Sequence, residues 1–443
     1  MTDARFGETL EYLYQQLPMF QREGGSAIKK DLVQIRELCW MLGLPQWKIK
    51  TVHIAGTNGK GSTSSMLASI LQESGLKVGL YTSPHLTSFT ERIKINGKEI
   101  SERKVVSFVD QLRPVIERVR PSFFELTVAM AFSHFEKEEV DIAVIETGMG
   151  GRLDSTNILR PEICAITNIS YDHQQFLGDR LEEIAGEKAG IIKPYTPVII
   201  GQRHVETADV FVTKANQAEA EILFAEDRFD VRLLSGSLEG QLVELYDKEV
   251  AETTIWTLDL PGQYQAENFR TVMSIVYRMR EDGWVIKEDQ IRTGLSRVRI
   301  NVGLRGRMEV LSRDPLVLCD VGHNEAGIRY ILQQLRETAT EQLHIVWGMV
   351  SDKDHQKILS LLPREATYYW VRPSVPRGFP AEALKSEGDK VHLSGEAYPS
   401  LPAAVQMARQ QAGAEAVIFI GGSTFTVADM LLYVEQLEQH PVK

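Results

Sequence analysis

Apolar residues gather in short, nearly unbroken runs at 51–54, 77–81, 141–145, 163–167 and 198–200. Such runs, rich in β-branched residues and bounded by polar or glycine-containing segments, predict strands buried on both faces of a mainly parallel sheet. Segments 102–117 and 126–138 lie between them and space their apolar positions every three or four residues, which predicts helices. The alternation predicts an α/β fold with a doubly wound, mainly parallel sheet.

The pattern changes elsewhere. Residues 1–45 predict two amphipathic helices joined by the turn Glu23-Gly24-Gly25-Ser26. Short alternating segments at 223–260, with turns at Gly236 and Gly240, predict a small antiparallel β insertion. A helix is expected at 266–280. The stretch 296–306 then loses periodicity and reads as a linker. Beyond it, strands are expected at 316–319, 344–347, 368–371 and 416–420, with helices at 327–335 and 402–411. This second alternation predicts a smaller, Rossmann-like α/β domain of about 140 residues. The expected division is 1–297 and 298–443. No internal repeat or low-complexity tract is evident.

A length of 443 residues exceeds what one core usually fills, so more than one domain is expected. A formal net charge of −11 argues against a nucleic-acid partner, which calls for a basic face. Cys39, Cys164 and Cys319 stand far apart in apolar surroundings, so they read as buried reduced thiols of a cytoplasmic protein. The first residues lack the basic and apolar regions of a signal peptide, and no apolar run is long enough to span a bilayer. A monomer is expected.

The candidate chemistry begins at His53-Ile54-Ala55-Gly56-Thr57-Asn58-Gly59-Lys60-Gly61-Ser62. A strand feeding a glycine-rich turn and then a helix forms an anion cradle: backbone N–H groups converge, the helix dipole favours negative charge, and Lys60 neutralises a phosphate. The spacing departs from the usual phosphate loop, with Ala55 at its first glycine position and the hydroxyl one place late, at Ser62. A second strand ends in Glu146, before Thr147-Gly148-Met149-Gly150-Gly151-Arg152-Leu153-Asp154. A carboxylate on that edge suits the Mg²⁺ that accompanies a triphosphate. The next strand brings His173 to the same edge. Lys188 has the small neighbours Gly186, Ala189 and Gly190, which favour a buried amine of lowered pKa. Such an amine reacts with CO₂ to form a carbamate; an ion pair to Glu183 or Glu187 is the alternative.

These motifs, with Ser83-Pro84-His85-Leu86, Glu91-Arg92-Ile93 and Glu187-Lys188-Ala189-Gly190-Ile191, resemble the folylpolyglutamate synthase/dihydrofolate synthase family of the Mur ligase superfamily. The resemblance runs in order from about residue 20 to the C-terminus. It implies an ATP-dependent amide ligase that adds L-glutamate to dihydropteroate or to a folate. It also implies that Thr57, Asn58, Gly59, Lys60, Gly61 and Ser62 hold ATP, joined by Asn268, Arg307, Asp320 and His323. Ser83, Glu146, His173 and a carbamylated Lys188 would form the Mg²⁺ centre, with two metal sites. Lys60, Glu146, His173 and Lys188 would carry the catalysis. Ser122, Phe123, Phe124, Glu125, Leu153, Asp154 and Ser155 would line a pterin pocket. Three positions depart from the family pattern: Tyr264 stands where His is usual, Val321-Gly322 replaces an Ala-containing pair, and Ala27-Ile28-Lys29-Lys30 replaces a Gly-Leu-x-Arg-like segment.

The chemistry that follows is phosphoryl transfer from ATP to a carboxylate, then attack of the glutamate amine on the acyl-phosphate. Two rival readings remain open in the sequence. A peptidoglycan Mur ligase shares the loop and the lysine, but only about 50 residues precede the loop here, too few for an ordinary leading domain. A P-loop kinase or nucleotide switch leaves the second α/β domain without a purpose.

Overall fold

The computed structural model describes residues 4–19, 31–338, 342–413 and 415–439. The expected turn at 23–26 and the divergent segment 27–30 lie outside these residues. Helices Ala4–Gln16 and Val33–Met41 match the expected N-terminal pair.

The first sheet contains β1 (Thr51–Ala55), β2 (Val78–Tyr81), β3 (Ile93–Ile95), β4 (Lys98–Glu99), β5 (Ile142–Glu146), β6 (Ile163–Ile166), β7 (Val198–Ile200) and β8 (Ile222–Phe224). Their order is β4-β3-β2-β5-β1-β6-β7-β8. All neighbours pair in parallel except the β2–β3 and β3–β4 pairs at one edge. The unbroken apolar character of the strands follows from this arrangement. Val144 faces a core that includes Met66, Leu67 and Val272. Its neighbours Ala143 and Ile145 face another core, with Leu126 and Phe132. β1 has β5 on one side and β6 on the other, so the chain winds outward from it in both directions. The carboxyl end of β1 is therefore the switch point, where a crevice opens outside the sheet.

β9 (Phe229–Gly236), β10 (Gln241–Asp247) and β11 (Glu252–Leu258) form the expected antiparallel insertion. Its start differs from the expectation, because Ile222–Phe224 joins the first sheet as an edge strand. Residues 298–302 also differ. They form a short helix, Val298–Val302, rather than part of a linker. Val298 and Val302 are buried in the core beneath the first sheet, and two anchors so close together were too few to register as a period. Gly303, with φ 69°, caps this helix just beyond the expected division at 297/298.

The second sheet holds β12 (Glu309–Arg313), β13 (Leu316–Cys319), β14 (Leu343–Trp347), β15 (Thr367–Trp370), β16 (Ser394–Ala397) and β17 (Val417–Gly421). The order is β12-β13-β17-β14-β15-β16, parallel except for β12. The edge strands β12 and β16 escaped the sequence reading because edges are half-exposed and carry polar residues. All three cysteines are free and buried. No helix among the described residues is long and apolar enough to cross a membrane.

Candidate active site

The glycine loop leaves β1 at the switch point and enters helix Lys60–Glu73, which begins directly at Lys60. Two glycines are dictated by close approach. A Cβ at Gly56 would overlap the Thr167 hydroxyl, and one at Gly59 (φ 82°) would overlap the Asn268 amide. The loop after β6 braces the cradle from below. Asn58 N–H donates to Asn168 Oδ1 at 3.0 Å, and Thr57 Oγ1 donates to the Ser170 carbonyl at 3.1 Å. Gln265 donates to Ser62 Oγ at 3.3 Å and accepts from Asn268 at 2.8 Å, linking helix Gln265–Glu281 to the loop.

Two ammonium groups meet over this loop. Lys60 Nζ donates to the carbonyls of Gly56 (3.1 Å) and Thr57 (3.2 Å). Lys188 Nζ donates to the same Gly56 carbonyl at 2.9 Å. Burial, then the Lys60 charge, pulls the Lys188 pKa down to about 7. The ion-pair alternative for Lys188 does not hold: Glu187 bonds Arg152 at 2.8 Å, and Glu183 caps the Asp179 and Arg180 amides.

Glu146, at the end of β5, accepts from the Ser83 N–H at 3.1 Å. A methyl group on Gly61 would stand 3.8 Å from both Glu146 oxygens and 3.4 Å from Arg307 Nη2, so these groups surround one point. Burial raises the Glu146 pKa, against the opposing effects of Lys60, the Ser83 amide and Arg307. His173 takes a left-handed backbone (φ 49°), and burial lowers its pKa to about 3, which keeps the imidazole neutral.

A cavity of about 600 Å³ opens over this edge. Every expected ATP and metal residue lines it: Thr57 to Ser62, Ser83, Glu146, His173, Lys188, Asn268, Arg307, Asp320 and His323. A second, more apolar cavity of about 320 Å³ adjoins it and is lined by Ser122, Phe123, Phe124, Leu153, Asp154 and Ser155. The two share Ser83, Pro84, Gly148–Gly150 and His173 along their common wall. Glu125 is the exception among the expected pterin residues. It lies behind the cavity wall, and its carboxylate accepts from the Ser122 amide at 2.7 Å and the Ile35 amide at 3.2 Å. The capping box it forms with Ser122 starts helix Phe123–Lys137.

A Mur ligase middle-domain profile matches residues 54–276, and a Mur ligase glutamate-ligase-domain profile matches 306–424. The chain is 31% identical over 414 residues to the dihydrofolate synthase/folylpolyglutamate synthase of Bacillus subtilis, covering 91% of this chain and 94% of that one. The chain belongs to the dihydrofolate synthase/folylpolyglutamate synthase family of Mur ligases. Escherichia coli FolC, solved with DHPP and ADP, superimposes with a TM-score of 0.85 at 27% identity, covering 98% of each chain. The Yersinia pestis enzyme of the same name, solved with AMPPNP and Mn, gives a TM-score of 0.83 at 27% identity, covering 98% of this chain and 100% of that one. The expected α/β architecture and the ATP-dependent acid–amino-acid ligase class therefore stand.

Glu146, Ser83 and His173 all line the nucleotide cavity, and a carboxylate, a hydroxyl and a neutral imidazole are donor types that would suit a divalent cation. A cation there would also hold the buried Glu146 ionised. The ligating atoms of Asp172, His173 and His323 lie within 4.8 Å of one another. Asp172, however, is already engaged. It takes Lys353 at 2.5 Å, Asn324 at 3.2 Å and His323 at 3.3 Å, all from the second body. Against burial, His323, His173 and Lys353 hold its pKa well below the usual carboxylate range. We read the trio as an ion-pair hub. Asp172, Asn324 and Lys353 were missed as site residues because their partners lie more than 150 positions away in sequence, and no local pattern marks them. Asp320 has a similar bracing role: it accepts from Tyr264 at 2.8 Å, Met308 N–H at 2.9 Å and Gly322 N–H at 2.8 Å.

Proposed function

We propose that the chain joins L-glutamate to a pterin acid, dihydropteroate or a folate, with ATP as the energy source. The observation that carries this reading is the shared wall of the two cavities. An aromatic-lined cavity of ring size meets a triphosphate-sized one at Ser83, Gly148–Gly150 and His173. A ring-bearing acid lodged in the first presents its carboxylate to a γ-phosphate held in the second.

A carboxylate in water is a poor electrophile. Attack by its oxygen on the γ-phosphorus expels ADP and makes an acyl-phosphate. The glutamate amine then attacks the acyl carbon, phosphate leaves, and the amine gives up a proton. The first step brings two anions together, and their repulsion is severe in a dry site. Lys60 from the loop and Arg307 from the second body offset it at the phosphate oxygens, and the backbone N–H groups of the loop hold the triphosphate in line. Glu146, Ser83 and His173 would hold a magnesium-class ion, which supplies further charge neutralisation at the triphosphate.

We further propose that Lys188 is carbamylated. A neutral amine and CO₂ give a carbamate anion and one proton, which replaces the second of two cations crowded onto the Gly56 carbonyl with a negative group. The pKa near 7 supports this, because much of the amine is unprotonated at neutral pH. The three buried thiols are consistent with a reducing, cytoplasmic setting.

The experiment is ATP turnover with dihydropteroate or tetrahydrofolate, each with and without L-glutamate, and products weighed by mass spectrometry. The expected product is the pterin acid heavier by one glutamate, formed only when all three substrates are present. Phosphate release that ignores both the pterin acid and glutamate would overturn the reading.

A further inference from the structure

The helix that carries Lys188, Leu181–Ala189, ends against the loop that follows β5. The two segments interlock at backbone distance. Arg152 N–H donates to the Glu187 carbonyl at 2.7 Å. A Cβ at Gly151 would stand 2.8 Å from the Glu187 carbonyl oxygen and 2.9 Å from that of Lys188, and one at Gly190 would stand 2.4 Å from Arg152 Cα. Where the 151–152 loop lies therefore sets where Lys188 starts.

One buried side chain holds this joint. Asn157 is 7% exposed and lines neither cavity. Its amide nitrogen donates to the Arg152 carbonyl at 3.1 Å and to the Gly190 carbonyl at 3.0 Å, so a single NH2 group binds the loop to the end of the lysine helix. Carbonyls at the end of a helix lack partners within it, and Asn157 supplies one here. The Arg152–Glu187 ion pair (2.8 Å) ties the same segments, but Arg152 is more than half exposed, and pairs of that kind contribute little.

Lys193 decides which way the amide points. Its ammonium donates to Asn157 Oδ1 at 2.6 Å and to the Asn157 carbonyl at 3.2 Å. An ammonium only donates, so the amide oxygen must face it and the NH2 must face the two carbonyls. The flipped amide would set its oxygen against both carbonyls and its NH2 against Lys193. Lys193, like Asn157, lines neither cavity, so the effect of the pair on turnover runs through what it holds.

We propose that Asn157, oriented by Lys193, is a positioning residue for Lys188: it fixes the end of the lysine helix so that Nζ reaches the Gly56 carbonyl at the base of the phosphate loop. The inference rests on the reading of Lys188 as a group that the reaction needs. Nζ stands 2.9 Å from that carbonyl. Misplacing a reacting group by about 1 Å costs up to the order of 10²-fold in rate, even when the change is made away from the chemistry.

The test is a double-mutant cycle on the full-length chain, assayed with L-glutamate and whichever of dihydropteroate and tetrahydrofolate supports turnover. The readouts are kcat and the KM values for ATP and the pterin acid, taken well below the melting temperature of each variant. Asn157→Ala should lower kcat about ten- to a hundredfold and leave both KM values within about twofold. In the Lys188→Ala background the same substitution should cost less than about twofold, because the group it positions is already gone. Lys193→Met leaves Asn157 in place and covers the case in which Asn157→Ala does not fold. It should lower kcat about three- to tenfold, again with no further loss beside Lys188→Ala. Equal losses with and without Lys188 overturn the assignment, since a merely structural role is additive. So does a change confined to KM, which would mark Asn157 as a support of the substrate walls. Full turnover in Lys188→Ala sinks the Lys188 reading and the inference with it, whereas additive losses sink the inference alone.

Discussion

Asn58 and Asn324 exchange a pair of amide hydrogen bonds, 3.1 and 2.9 Å long, between the phosphate loop and the second body. Each side chain satisfies the other, and Asn324 also reaches Asp172. The pair ties the second body to the loop that lines the nucleotide cavity. Asn324→Ala should weaken ATP binding about five- to thirtyfold, as expected from one or two neutral hydrogen bonds near 1 kcal/mol each. Calorimetric titration with a non-hydrolysable ATP analogue checks this, and an unaltered affinity would show that the contact closes the cleft without tuning the loop.

Lys188→Ala should lower turnover on the order of 10²- to 10³-fold, the usual scale for losing an electrostatic contact in a reacting site. Short carboxylic acids added to the assay should restore part of it by supplying the missing anion. In the wild type, activity should rise with bicarbonate, and intact-mass analysis should show the increment of one CO₂. Full activity in Lys188→Ala would dispose of the carbamate.

The pH dependence of Lys188 has a definite sign. Its folded pKa of about 7 lies below the ordinary lysine value of 10.5. The unfolded chain therefore binds the extra proton between these values, and the penalty for burying the cation, complete below pH 7, fades as pH rises through the window. Uncarbamylated protein should thus gain stability from pH 7 towards 10 relative to Lys188→Met. Parallel melting curves for the two across that range would contradict the assignment of the shift to burial.

Glu146 behaves in the opposite sense. Burial raises its pKa, so its contribution is most favourable while it is protonated and declines as pH climbs through the folded value. Glu146→Gln should raise the melting temperature of the nucleotide-free chain by a few degrees at neutral pH. It should also cut turnover roughly 10²-fold or more. Differential scanning fluorimetry beside a phosphate-release assay reads both effects. A variant that melts lower than wild type would show that Lys60 and Arg307 outweigh the burial cost.

Tyr264→Phe removes one of three donors to the buried Asp320 carboxylate. The loss should be on the order of 1 kcal/mol, seen as about a fivefold increase in KM for ATP. Tyr264→His, which keeps a ring-borne donor at this position, should recover most of it. If both variants match wild type, Tyr264 only fills space against Tyr330, its edge-on neighbour at 6.1 Å.

What the sequence made legible was whatever a local period or a compact motif encodes. The β1 run, the glycines at 56 and 59, and the strand-end acid at 146 were all readable, because each is fixed by neighbours within a few residues. Edge strands such as Glu309–Arg313 and Ser394–Ala397 were not, because one side of an edge faces water and dilutes the apolar run. The helix at Val298–Val302 offers only two buried anchors. Asp172 was invisible for a different reason. Its role arises from Lys353, His323 and Asn324, which the second sheet delivers from far along the chain. Glu125 shows the converse: a residue placed in the pocket by its motif spends its carboxylate on a helix cap instead.

The loops that cover the nucleotide cavity and those that cover the aromatic one belong to the same body. His323 borders both chambers, while Lys353 and Arg377 overhang the second. Any displacement of that body would therefore reshape both chambers at once, giving them one common door.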